Sequence, residues 1–324
     1  MADTYENLRA GELRQRLTSK WTHFDQNVIP AWIAEMDFPT APVIRSALIE
    51  AMERSETGYP PAGEAMRLPH ACAAWLKRSF GWDVEPERIR LLPDVMKGIE
   101  LGVQIFSRSE SAVIIPTPSY PPFFAAVGST GRPIIEVPMQ RDGDRFGFDL
   151  EGIDAAFGAG AGTLILCNPH NPLGRVFTRE ELCAVAEIVE RYGARVIADE
   201  VHAPLIYPGA RHVPYATVSN AAAHHSITLI SASKGWNIAG LKCAQLVIVN
   251  DSDLAIARAI PYLQIIWTYG ASTPGILANT VAYEAGGPWL EETVSYLDGN
   301  RHHLADLLSR LLPDVGYIVP EGTM

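Results

Sequence analysis

Ser231-Ala232-Ser233-Lys234-Gly235-Trp236-Asn237 follows a short apolar stretch, Ile227 to Ile230. A strand over 227–230 would deliver two small hydroxyl residues, then a lysine, then a glycine-containing loop running to Lys242. An ammonium beside a buried strand is costly because it must be desolvated. The position makes sense if the amine forms a Schiff base with a carbonyl cofactor. Alone, Ser-x-Ser-Lys fits an ordinary surface loop better, since so short a motif matches by accident. Its chemistry therefore rests on three further segments.

In the first of these, Ala194-Arg195-Val196-Ile197-Ala198 runs into Asp199-Glu200-Val201-His202. Ligands of open parallel α/β sheets bind outside the carboxyl ends of the strands. An acid there could hold Mg²⁺ or a ribose, or cap the next helix. Together with Lys234 it has a sharper use. A carboxylate at the pyridine nitrogen of pyridoxal phosphate keeps that nitrogen protonated and makes the ring an electron sink. Asp199 is the candidate, with Glu200 read as structural. The next segment, Leu166-Cys167-Asn168-Pro169-His170-Asn171-Pro172-Leu173-Gly174-Arg175, follows a strand at Thr163 to Leu166. Its prolines and glycine enforce a loop, and Thr178 with Glu181 reads as a capping box. Asn171 could donate to a phenolate oxygen of the cofactor. In the last segment Tyr120 follows a strand at Ala112 to Ile115; it could stack on a flat ring or simply pack in the core.

In this combination and order the segments resemble the fold-type I pyridoxal-phosphate enzymes of the class I/II aminotransferase family, and most nearly the cystathionine β-lyase-like C–S lyases. Further motifs carry the resemblance: Trp32-Ile33-Ala34-Glu35-Met36-Asp37-Phe38-Pro39, Thr57-Gly58-Tyr59-Pro60 and Pro116 to Phe124. The resemblance implies pyridoxal 5'-phosphate as cofactor, Lys234 as the Schiff-base lysine and Asp199 as partner of the ring nitrogen. It implies Asn171 and His202 near the ring oxygen and Tyr120 stacked on the ring. Ser231, Ser233 and Lys242 would bind the phosphate. Tyr59 would reach the phosphate of a neighbouring subunit, giving a homodimer with shared sites. Some positions depart from the family pattern. Lys242 stands where many relatives have arginine, Gly235-Trp236 where Thr-Phe is frequent, and Glu35 where aspartate is usual. Asp94 falls where relatives favour glycine; it is expected to cap a helix starting at Val95, leaving backbone N–H groups at Val95 and Met96 for the anion. The stretch from Pro320 resembles the start of a strand opening the last part of the family's small domain. By the same resemblance, the arginine that grips the substrate carboxylate is expected beyond residue 324.

The elements that must position these residues are an alternation of apolar strands and amphipathic helices from about 112 to 249. Helices are expected over Pro42–Glu56, Glu64–Phe80, Val95–Phe106, Thr178–Tyr192 and Trp289–Leu312. The fold class is α/β: a mostly parallel sheet covered by helices, with a smaller α+β domain. In this layout residues 46–274 form a large cofactor-binding domain, while 1–45 and 275–324 contribute to the small one. Chain length allows that division. Hydrophobic residues make up 48 % of the 324, enough for a substantial core, and the net charge of −11 argues against nucleic acid as a partner. Four scattered cysteines without a CxxC pair suit a reducing cytoplasm and argue against a zinc site. No apolar run reaches membrane-spanning length. His302 and His303 read as surface residues.

The expected activity is cleavage of cystathionine or a related cysteine S-conjugate to a thiol, pyruvate and ammonia. An aminotransferase would use the same residues, so it stands as the alternative. A non-catalytic binding protein of this fold is the reading from another class; the intact Lys234, Asp199 and Asn171 set weighs against it.

Overall fold

The computed structural model describes residues 3–61 and 66–323. The chain opens with three short helices, α1 (Asp3–Glu6), α2 (Ala10–Arg14) and α3 (Ser19–Thr22), then α4 (Pro42–Glu53) and α5 (Leu68–Phe80). The alternating body follows: β1 (Ile89–Leu92), α6 (Val95–Phe106), β2 (Ala112–Thr117), α7 (Pro122–Ser129) and β3 (Ile134–Pro138). A hairpin, β4 (Gln140–Asp142) and β5 (Arg145–Gly147), leads to α8 (Leu150–Gly158), β6 (Ala161–Cys167), α9 (Arg179–Arg191) and β7 (Arg195–Asp199). Next come α10 (Asn220–His225), β8 (Ser226–Ile230) and β9 (Ala244–Ile248). Four helices complete the order: α11 (Asp251–Ala259), α12 (Pro261–Tyr269), α13 (Thr273–Ala285) and α14 (Gly287–Leu311).

Seven strands form one sheet in the order β1-β9-β8-β7-β6-β2-β3. All neighbours are parallel except those of β9, which runs against both β1 and β8. Strands β6, β8 and β9 are buried along their whole length. Such continuous apolar runs are what a sheet covered on both faces requires. Because β2, β6, β7 and β8 point the same way, their carboxyl ends share one edge. The register sets Cys167 beside Asp199 there, and Asp199 beside Leu229.

Helix α6 covers one face at very short range, and glycine permits it. A Cβ at Gly102 would lie 2.8 Å from the Cδ1 atoms of both Ile197 and Ile227. Helices α8 and α9 cover the opposite face, burying Ile153, Phe157, Leu182 and Val185 against Ile114, Leu164 and Val196. A third cluster joins α4, α5 and α13 around Trp75, Trp236 and Tyr283. A smaller one sets Tyr5, Met36, Phe38 and Leu205 against residues of α14 such as Leu290 and Val294.

The capping box forms as expected: Thr178 Oγ1 accepts from Glu181 N at 3.3 Å, and Glu181 Oε2 accepts from Thr178 N at 2.7 Å. Other helix ends differ from the sequence reading. Helix α4 stops at Glu53 rather than Glu56, because Ser55 takes a left-handed φ of +59°. Helix α5 starts at Leu68 rather than Glu64. Glu64 lies outside the described residues, but Met66 and Arg67 are not helical. Pro69 explains the late start, since proline lacks the N–H that an interior position needs and is tolerated in the first turn. His302 is exposed, 3.7 Å from Asp298 Oδ1. No helix among the described residues is long and apolar enough to cross a membrane.

Residues 320–323 strap two loops together. Glu321 N and Gly322 N donate to Gly174 O at 2.7 and 3.1 Å, while Thr323 N donates to Leu205 O at 2.9 Å and Tyr207 N to Glu321 O at 3.0 Å. Buried Arg175 ion-pairs with Glu321 and with Glu181, the latter at 2.7 Å. Gly174 has φ +65°, and a Cβ there would fall onto Pro320 and lie 3.3 Å from Gly322 O. Gly174→Ala is therefore expected to destabilise the protein by about 1–3 kcal/mol, lowering Tm by several degrees. An unchanged melting curve would show that the strap yields without cost.

Candidate active site

A cavity of about 1040 Å³ opens at the shared carboxyl edge of the sheet. Ten of the eleven residues singled out from sequence line it: Val95, Met96, Tyr120, Asn171, Asp199, His202, Ser231, Ser233, Lys234 and Lys242. Tyr59 does not. It is 86 % exposed and packs edge-on against Tyr269, ring centroids 5.3 Å apart.

Lys234 follows β8 by four residues, and its Nζ donates to Ala34 O at 2.9 Å. Burial lowers its pKa; the charges of Asp199 and Glu35 act the other way and only partly restore it. A neutral amine is thus easier to reach here than on the surface. Asp199 ends β7 with its carboxylate buried. Oδ1 accepts from Val201 N at 3.1 Å. Burial pushes its pKa up to about 7, against the lowering effects of that hydrogen bond and of Lys234. His202 is buried as well. Burial, with some help from Lys234, takes its pKa down to about 3, so the imidazole is neutral. Its Nδ1 has no hydrogen-bond partner among the described residues. Glu200 is directed to the fold instead, accepting from Tyr215 N at 2.7 Å and lying 3.0 Å from His212 Nε2.

The amino end of α6 faces the same cavity. Asp94 Oδ1 accepts from Lys97 N at 2.8 Å, and Asp94 Oδ2 lies 3.0 Å from Lys242 Nζ. The carboxylate is thereby occupied by a helix cap and a cation, and the first-turn N–H groups at Val95 and Met96 remain for an anion. Ser231 Oγ donates to Cys243 O at 2.7 Å and accepts from Ser233 N at 3.0 Å. Its hydroxyl hydrogen braces the loop, and Ser231, Ser233 and Lys242 all line the cavity.

Two contributors escaped the sequence reading. Cys167 Sγ accepts from Asn171 N at 3.4 Å and sits 3.3 Å from Pro169 O, fixing the backbone of the Asn171 loop. It ends β6, and in the sequence it stood only as one of four scattered thiols. The other is Lys20, buried beside the cavity, which donates to Glu35 O at 2.8 Å and pairs with Asp37 Oδ2 at 2.7 Å. Only the long-range pairing across 17 residues reveals it.

These donors fit pyridoxal 5'-phosphate. A buried carboxylate with a single backbone N–H suits a cationic ring nitrogen, and the helix N-terminus with Ser233 and Lys242 suits the phosphate. A half-buried lysine suits the aldehyde, and Tyr120 is half-buried where a flat ring could lie. No group of three or more His, Cys, Asp or Glu among the described residues could hold a metal ion.

The family model for aminotransferase class I and II matches residues 28–324. Cystathionine beta-lyase of Corynebacterium glutamicum is 41 % identical over 313 residues, covering 95 % of this chain and 82 % of the relative. The crystal structure of a putative PLP-dependent beta-cystathionase from Corynebacterium diphtheriae superposes with a TM-score of 0.91 at 38 % identity, covering 98 % of this chain and 81 % of that one. The PLP-bound C–S lyase from Staphylococcus hominis gives 0.87 at 26 % identity, covering 99 % and 82 %. The chain belongs to the class I and II aminotransferase family.

Proposed function

We propose that this protein is a pyridoxal-phosphate-dependent C–S β-lyase that cleaves cystathionine or a related cysteine thioether to a thiol, pyruvate and ammonia. The observation that carries the reading is the presence of a half-buried Lys234 and a buried, underpartnered Asp199 in one cavity. Bound pyridoxal phosphate supplies an electron sink for the pair left at Cα when its proton departs. This chain's residues do the rest. Lys234 Nζ, held toward neutrality by burial, takes the Cα proton and can return it to the departing sulfur. Asp199 keeps a proton on the ring nitrogen. Tyr120 covers the ring, and Asn171 and neutral His202 face its oxygen. The Val95 and Met96 amides, Ser233 and Lys242 hold the phosphate.

A second copy of the chain completes the proposal. Tyr59, Tyr262, Ile265 and Tyr269 are all more than half exposed. A homodimer would cover them and bring Tyr59 to the partner's site. The buried free thiols Cys72, Cys167 and Cys243 suit a cytoplasmic location.

The test is incubation of the pyridoxal-phosphate-loaded protein with L-cystathionine, scoring pyruvate with and without an added keto acid. Pyruvate release without the keto acid is expected. Turnover that requires the keto acid would make the protein an aminotransferase.

A further inference from the structure

Four carboxylates line the cavity: Glu35, Asp37, Asp94 and Asp199. Three are occupied. Asp37 accepts from Lys20 at 2.7 Å and from Trp21 Nε1 at 2.6 Å, Asp94 caps α6 and pairs with Lys242, and Asp199 accepts from Val201 N. The Glu35 carboxylate has no hydrogen bond or ion pair among the described residues, although its charge reaches Lys234.

The backbone around it is fixed on both sides. Lys234 holds Ala34 O, and Lys20 holds Glu35 O. Asn237, with a left-handed φ of +54°, brackets Met36: its Oδ1 accepts from Met36 N at 2.9 Å and its Nδ2 donates to Met36 O at 2.8 Å. Residues 34–37 therefore form a rigid roof over the lysine. Of the lining lysines, Lys20 is matched by Asp37 and Lys242 by Asp94, and Lys234, which feels the charge of Glu35, donates to Ala34 O and not to the carboxylate.

We propose that Glu35 is the specificity residue for the far end of the substrate, and that it binds an ammonium carried beyond the sulfur. This rests on the lyase reading and narrows it to thioethers with an amino group on each side of the sulfur. Cystathionine has that form; S-alkyl cysteines do not. An unpaired carboxylate at a partly buried position gains most from a cation that arrives with the ligand.

The experiment compares the loaded wild type with Glu35→Gln and Glu35→Asp on L-cystathionine and S-ethyl-L-cysteine. The cystathionine to S-ethylcysteine ratio of kcat/KM should fall about tenfold in Glu35→Gln, equivalent to ~1.4 kcal/mol, and be partly restored in Glu35→Asp. S-Carboxymethyl-L-cysteine, with an anion at the far end, should gain relative to S-ethylcysteine in Glu35→Gln. Equal losses on all three substrates would overturn the proposal and assign Glu35 to the lysine instead. Calorimetric dissociation constants of the same ligands for the loaded Lys234→Ala protein, with and without Glu35→Gln, separate the two levels. If the wild type cleaves none of the thioethers but Glu35→Gln still shifts the binding ratio, the lyase reading fails and the Glu35 assignment stands. If the binding ratio does not move, the Glu35 assignment fails on its own.

Discussion

Lys234→Ala is expected to lower kcat about 10³-fold and to abolish borohydride trapping of pyridoxal phosphate on the protein. Burial moves this amine toward neutrality, while Lys20 and Lys242 are each held by a carboxylate. General-base proton transfer contributes about 10²- to 10⁴-fold, and loss of the covalent anchor adds to it. The substitution also removes the hydrogen bond to Ala34 O, so a melting curve must accompany the kinetics. Burying an ammonium is costly, and its removal should leave the fold intact. Mass spectrometry of the trapped wild type should place the adduct on Lys234. An adduct elsewhere, or turnover that survives the substitution, would overturn the assignment.

Asp199→Asn should act in opposite directions on activity and on stability. Turnover should fall on the order of 10²-fold or more, because an amide cannot keep the ring nitrogen charged. The cofactor-free protein should become more stable above neutral pH. The folded pKa of Asp199, about 7, stands above the ordinary value of 3.8. The folded state therefore binds its proton more tightly than the unfolded chain does. The stability linked to that proton is full below pH 3.8 and is lost as pH rises through 7. His202 behaves oppositely. Its folded pKa is depressed from 6.5 to about 3, so its contribution is present above 6.5 and lost as pH falls toward 3. A comparison at pH 8 isolates Asp199, since His202 is neutral in both proteins. Asp199→Asn should melt several degrees higher there, with the gap closing toward pH 4. Parallel melting curves across that range would mean that a nearby cation matches the buried carboxylate.

Most of the cavity could be read from the chain because its residues sit just past the carboxyl ends of apolar strands. Asp199 and Lys234 each follow such a run, and parallel topology brings those ends together. The Thr178–Glu181 cap and the Asp94 cap were legible for a local reason: each depends on a spacing of three residues. What stayed hidden depends on long-range approach. The roof at 34–37 touches residues 200 positions away, through Lys234 and Asn237. Sequence marked that stretch as a motif without placing it. The contact between Ser231 and Cys243 O was equally hidden, because it depends on β9 turning back beside β8. The end of α4 was misread because nothing local forbids helix at Ser55.

The strap at 320–323 has a mechanical consequence for the cavity. It holds Gly174 on the loop that carries Asn171, and Leu205 on the turn that begins at His202, where Leu205 N donates to His202 O at 2.8 Å. The Asn171 and His202 side chains, proposed to face the ring oxygen, thus hang from one brace as well as from the sheet. Sliding one loop against the other would break hydrogen bonds at Gly174, Leu205 and Tyr207 together, so the pair keeps almost no independent degree of freedom. Their mutual spacing works like a fixed gauge, and any partner that shifts Asn171 must carry His202 along with it.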